Sequence, residues 1–320
     1  MSEAQRFNPG WGMKIRIFLT TLLVFGVVTA LVGLILYQTG IAGSGSIIFW
    51  LIVSIAMIGV QWWLGPTIIK WATGAKELRE HEAPELFEIA RRLSKKAGLP
   101  MPKLYLVKDP SPNAFAFGRT QSDSGIAVHT GLLSVLNREE VEGVMAHELG
   151  HINNRDVAVM TVASVLPVLL YYGILIFAPR GRDEGPGIGT ILGAFVAQFI
   201  GQLMVMWLSR QREYAADEFA ARITANPTSL MTALAKISYG NVARASGQDS
   251  MVKALYFAEP SGAKMDLQAI ARAISSGNES ALAQAMEREK QAGAMELLMT
   301  HPLTFKRLES LMRIKKEIAA

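Results

Sequence analysis

Four long stretches without a single charge constrain this chain more than any other feature. They are residues 17–37, IFLTTLLVFGVVTALVGLILY; 46–69, SIIFWLIVSIAMIGVQWWLGPTII; 157–178, VAVMTVASVLPVLLYYGILIFA; and 187–208, GIGTILGAFVAQFIGQLMVMWL. Each is close to the ~20 residues that carry a helix across a hydrocarbon core. Half of the 320 residues are hydrophobic, and these runs concentrate them, which predicts membrane spans rather than one large soluble core. Pro167 and several glycines lie inside the runs, as spans tolerate. The first run is long and closely followed by a second, so it does not read as a cleavable leader.

Basic residues near the span ends set the expected orientation. Arg6, Lys14 and Arg16 precede the first run, and Lys70, Lys76 and Arg79 follow the second. The connection between those two runs, QTGIAGSG, is uncharged. The later one, PRGRDEGP, sets Arg180 and Arg182 beside Asp183 and Glu184. The positive-inside rule then predicts cytoplasmic termini in a multi-pass protein of the cytoplasmic (inner) cell membrane. The resulting organisation is a cytoplasmic tail at 1–16, a transmembrane hairpin at 17–69, a cytoplasmic segment at 70–156, a second hairpin at 157–208 and a cytoplasmic segment at 209–320. Net charge is +5 with a pI near 9.4. The basic residues are scattered, with no stripe interleaved with aromatics, so the partner is a lipid bilayer and not nucleic acid. Whether copies of the chain associate is left open.

The soluble segments read as follows. Leu78, Leu86, Ile89, Ala90 and Leu93 recur at helical spacing, predicting a helix over 75–98 that AGLPMP terminates. Short runs at 103–107, 114–118 and 125–130, separated by polar turns, predict a small antiparallel meander. Residues 130–154 turn helical. The chain after 209 is mostly helical, broken at NPTS, EPSG and SSGNES.

The chemistry begins at HELGH, residues 147–151. Positions i and i+4 share a helix face, so His147 and His151 project together as two ligands of one metal must. Glu148 lies roughly 100° around the helix and can reach a water at the metal without being a ligand. The chain has no cysteine, so further ligands must be histidine or carboxylate. Asn154 and Val157 stand where a metzincin would carry glycine and a third histidine, which excludes that class. EYAAD, residues 213–217, offers Glu213 as third ligand and Asp217 as a partner for a ligand histidine's free ring nitrogen, a role Asp156 also contends for, along with helix capping. His151 lies six residues before the third span and Glu213 five after the fourth. Both therefore stand ~8–10 Å above the span ends on one side, at about 1.5 Å per residue. Two histidines and one glutamate leave a position open, as in catalytic rather than structural zinc sites. Glu148 is then the general base.

HELGH and EYAAD, with four hydrophobic spans and a cytoplasmic site, resemble the HtpX family of membrane zinc metalloproteases, of gluzincin type. PNAFAFG at 112–118 is similar to that family's NAFA strand. THPLTFKRLESL at 300–311 is similar to its C-terminal THP segment, although many relatives have a second proline where this chain has THPL. The resemblance covers nearly the whole chain. It implies one Zn2+ per chain and a zinc metalloendopeptidase that cuts misfolded or damaged membrane proteins from the cytoplasmic side under stress. It also tips Asn113, Ala114, Phe115 and Ala116 toward substrate binding. An edge strand there would pair with an extended substrate through its backbone, while the alternative is ordinary packing of Phe115 and Phe117.

His301 is the expected donor to the charge that builds on the scissile carbonyl oxygen, held in direction because Pro302 restricts the residue before it. The fold class expected is a mainly α membrane protein, with four transmembrane helices and a cytoplasmic α+β zincin-like metallopeptidase domain bearing a small antiparallel sheet. The competing reading is a zinc-bearing membrane scaffold or receptor without proteolysis, which has no need of Glu148. Cleavage within the bilayer is disfavoured by the charges of LNREEVEG just before the motif.

Overall fold

The computed structural model describes residues 45–177, 187–244, 260–285, 299 and 301–319. In chain order its elements are α1 (Gly45–Thr73), β1 (Lys76–Glu77), a 3-10 turn (Glu80–Glu82), α2 (Pro84–Ala97), β2 (Lys103–Val107), β3 (Ala114–Gly118), β4 (Ser124–His129), α3 (Thr130–Val135), α4 (Arg138–Asn153), α5 (Asp156–Ala163), α6 (Val165–Phe177), α7 (Ile188–Thr224), α8 (Pro227–Arg244), α9 (Pro260–Ser276), α10 (Glu279–Ala285) and α11 (Thr304–Ala319). The chain divides into two compact units, residues 1–73 with 158–205, and residues 74–157 with 206–320.

The helical stretches Leu51–Thr73, Asp156–Phe177 and Ile188–Thr224 are long and apolar enough to cross a membrane, and the first unit holds all of the first and most of the second, with residues 188–205 of the third. The expected span at 17–37 lies outside the described residues, so among them the spans number three. The second of these is not continuous. Pro167 cannot donate to the carbonyl of Ala163, where α5 ends, and the chain restarts as α6 after Ser164. Along α6 and α7, contacts pair Pro167 with Gly201, Tyr171 with Phe195 (ring centroids 5.4 Å apart) and Ile174 with Gly193. The numbers rise on one helix as they fall on the other, so α6 and the first half of α7 form an antiparallel hairpin. At its tightest point a Cβ on Gly201 would stand 2.8 Å from the Pro167 Cα. Glycine is what allows the backbones this close.

The second unit is built around α4. Val141, Val144, Met145, Ala146, Leu149 and Ile152 all join the core, so the helix is covered almost all round. Its start is fixed by a reciprocal cap. Asn137 Oδ1 accepts from Glu140 N–H, and Glu140 Oε2 accepts from Asn137 N–H, both at 2.9 Å. The helix expected over 75–98 begins only at Pro84. Lys76 and Glu77 instead pair with Leu106 and Tyr105 as β1, because Pro84 suits the first helical position and forbids continuation backward.

The sheet corrects the expected antiparallel meander. Its order is β1-β2-β4-β3, with β2 and β4 parallel and the other pairs antiparallel. Gly125 through His129 is buried without interruption, and a strand covered on both faces belongs in the middle of a sheet. The loop after β2 enforces this. Asp109 accepts from Ser111 N–H through its side chain (2.7 Å), while its carbonyl accepts from Gly131 N–H (2.9 Å) and the Thr130 hydroxyl (2.9 Å). The loop is thus tied to the end of β4, and β3 is left at the edge.

Candidate metal centre

Two helices of the second unit bring the ligands together. Gly150, inside HELGH, faces Ala216, inside EYAAD, and a Cβ on Gly150 would lie 3.0 Å from the Ala216 Cα. Two of the smallest residues therefore stand where α4 and α7 meet, and the larger polar residues beside them converge. His147 Nε2 and His151 Nε2 are 3.2 Å apart, and Glu213 oxygens lie 3.6 Å from the first and 3.5 Å from the second. His147, His151 and Glu213 are the ligand-type cluster found among the described residues. Ligand atoms bonded to one tetrahedral zinc at ~2.0–2.1 Å are separated by about 3.3–3.4 Å, so the spacing suits such an ion.

Outer partners fix both imidazoles. His151 Nδ1 meets Asp156 Oδ2 at 2.6 Å, and Asp156 also pairs with Arg212, which donates to the Asn154 carbonyl at 2.7 Å. His147 Nδ1 meets Asp217 Oδ1 at 2.9 Å, and Asp217 takes a two-pronged bond from Arg307, Nε to Oδ2 at 2.8 Å and Nη2 to Oδ1 at 2.6 Å. Each ring is thus turned so that Nε2 faces the ligand cluster, the arrangement that orients metal-bound histidines. Arg307 further reaches Glu213 Oε2 at 3.2 Å.

The charges agree with a dication site. Burial and the Arg307 charge push His147 down, but its hydrogen bonds to Asp217 and Glu213 outweigh them and hold it at about 9. Burial and the neighbouring His147 keep His151 below the usual histidine range. Burial also opposes the charge on Arg307, but Asp217 more than offsets it and holds its affinity for the proton up.

The remaining candidates fall around this cluster. Glu148 is buried and is not in the ligand set; its Oε2 accepts from the Ala116 N–H at 2.7 Å. His301 is exposed, with Nδ1 3.2 Å from Glu213 Oε1. Its loop is held by Arg210, which donates to the Met299 carbonyl at 2.7 Å. On β3, Ala114 and Ala116 pack against the core on the α4 side, while Phe115 and Phe117 (centroids 5.9 Å apart) lie on the other face with Tyr105 and His129. The Asn113 carbonyl is taken by His129 N–H at 3.0 Å.

Sequence reasoning missed Arg212 and Arg307. Arg307 left a trace, since it shares a helical stripe with the buried Leu311 and Ile314 at i+4 and i+7. Arg212 left none, because a charged residue beside EYAAD reads as a solvated face.

Residues 80–315 match the model of peptidase family M48. A protein of Moorella thermoacetica named Protease HtpX homolog is 35% identical over 316 residues, 96% of either chain. Its namesake from Bifidobacterium longum is 33% identical over 312 residues, covering 94% of this chain and 92% of that one. Another, from Methanothermobacter thermautotrophicus, is 36% identical over 227 residues, 71% of this chain and 86% of that one. The crystal structure of S. mikatae Ste24p superimposes with a TM-score of 0.50 at 17% identity, covering 94% of this chain and 66% of that longer one, and shows a shared fold. The motifs, the apolar helices and these matches agree that the chain belongs to peptidase family M48, alongside the HtpX proteases, and is a membrane metalloprotease.

Proposed function

We propose that the metal is zinc, one per chain, held by His147, His151 and Glu213, and that the enzyme is an endopeptidase cutting misfolded or damaged membrane proteins from the cytoplasmic side. The observation that carries this reading is the 3.2–3.6 Å triangle of ligand atoms, with a buried carboxylate next to it that is not a member. Zinc in such a site supplies Lewis-acid polarisation of the scissile carbonyl and acidifies water. Glu148 takes the proton from the attacking water and delivers it to the leaving amine. His301, beside Glu213, donates to the carbonyl oxygen as charge develops there. The open edge of β3 takes an extended chain through its backbone, which suits substrates of varied sequence and little remaining structure.

The test is the detergent-purified protein, wild type against Glu148→Gln, measured for zinc content and for degradation of an unfolded substrate. Equal zinc with loss of proteolysis is expected. Retained proteolysis removes Glu148 from the role of base. Reporter domains inserted near residue 75 and fused after residue 320 should both read as cytoplasmic, and an external signal from either overturns the sidedness.

A further inference from the structure

Strand β3 is the sheet's edge, and its register decides which main-chain groups face outward. His129 N–H donates to the Asn113 carbonyl and Arg119 N–H to the Asp123 carbonyl. Bonded and non-bonded pairs alternate along an antiparallel ladder. Phe115 opposite Ala127 and Phe117 opposite Gly125 are therefore the bonded pairs. Ala114 and Ala116 turn their N–H and C=O groups to that edge, which no other described strand covers.

One of these outward groups is already committed. The Ala116 N–H donates to Glu148 Oε2 at 2.7 Å, across from α4. A glutamate has three side-chain torsions to settle, whereas a main-chain donor within a sheet has almost none. We infer that the Ala116 N–H is a positioning donor that aims the carboxylate of Glu148, and that β3 is a divided edge: one amide orients the base, while the Ala116 carbonyl and both main-chain groups of Ala114 are left to pair with substrate. A single peptide unit then sets the register between the bound chain and the base, whatever the substrate's side chains. This inference rests on Glu148 being the base.

The test uses Ala116→Pro, which removes the donor. No ladder bond is lost, because residue 116 faces outward, and edge strands accept proline. Phe115, inside β3, already has the extended conformation proline demands of its predecessor. Ala116→Gly keeps the N–H and serves as the control. In the zinc-loaded full chain, kcat of Ala116→Pro should fall roughly 10–100-fold below that of Ala116→Gly, the scale of a misplaced catalytic group, with KM differing between the two by less than about threefold. Equal kcat in the two variants overturns the inference.

A second measurement needs neither proline nor activity. In metal-stripped protein, Glu148→Ala should raise hydrogen exchange at the Ala116 amide at least ~10-fold, since the amide loses its acceptor. Unchanged exchange overturns the inference even if Ala116→Pro does not fold. If instead Glu148→Gln keeps its proteolytic activity while the exchange difference stands, the assignment of the base has failed and the hydrogen bond has not.

Discussion

Helix α7 carries two opposite patterns of burial along one unbroken run. In the half belonging to the first unit, Leu192, Phe195, Val196 and Phe199 are each more than half exposed. In the half belonging to the second, Arg210, Glu213 and Asp217 are buried, Asp217 completely. A helix surrounded by water throughout would show the reverse. The contrast teaches that the two halves are written for different surroundings. Large apolar side chains facing outward cost nothing where the surroundings are hydrocarbon, whereas buried charges persist only where each is paired or hydrogen-bonded. Here Arg307 pairs with both Asp217 and Glu213, and Arg210 donates to the Met299 carbonyl.

Four changes would break or sharpen that contrast. The largest effect should come from Glu213→Ala on the polar half. It should abolish metal retention, beyond the ~10–100-fold that loss of an outer partner costs, and reduce proteolysis to background. Zinc analysis after gel filtration measures this, and wild-type zinc content would pass the ligand role to Asp156 or Asp217. On the apolar half, Phe199→Asp should disfavour membrane insertion by roughly 2.5–3.5 kcal/mol. A glycosylation or protease-protection assay reads it, and unimpaired insertion would mean this half does not meet hydrocarbon.

Smaller effects lie in the partners. Arg212→Leu leaves Asp156 without its cation and slackens the hold on His151, so zinc affinity should fall about 10–100-fold while helix content is kept. Competition with a chelator measures it. The smallest effect concerns His129, which is fully buried, with an Nε2 that has no hydrogen-bond partner among the described residues, and is held below the ordinary histidine range by that burial. Its folded affinity for protons is lower than its unfolded one. Stability from this residue is therefore complete above about pH 6.5 and declines as pH falls through the folded value. Melting temperatures against pH should show a shallower acid slope in His129→Gln than in wild type, and identical slopes would remove His129 from the cause.

Much of the site was legible in the chain itself, for local reasons. His147 and His151 share a face because a helix repeats every ~3.6 residues, and the same period links Glu213 with Asp217. Three of the apolar spans were legible because a bilayer demands length and the absence of charge, which are properties of a contiguous segment.

What the tertiary structure alone decided is non-local. Asp217 could be assigned to a ligand histidine in general terms, but only folding chose His147 for it and His151 for Asp156. Arg307 lies 160 positions from the ring it helps to orient, and its place on the stripe of Leu311 and Ile314 marks a face of the helix without naming the partner. The strand runs were visible, but their order was not. Hydrophobic alternation specifies faces and not neighbours, and it took the Asp109 loop and the continuous burial of β4 to put that strand in the middle and leave β3 at the edge, with the Ala116 amide against Glu148. Sequence determined which residues could bind metal and which segments could meet lipid. Pairing between distant charges and the choice of strand neighbours depend on close packing in three dimensions, which no one-dimensional period encodes.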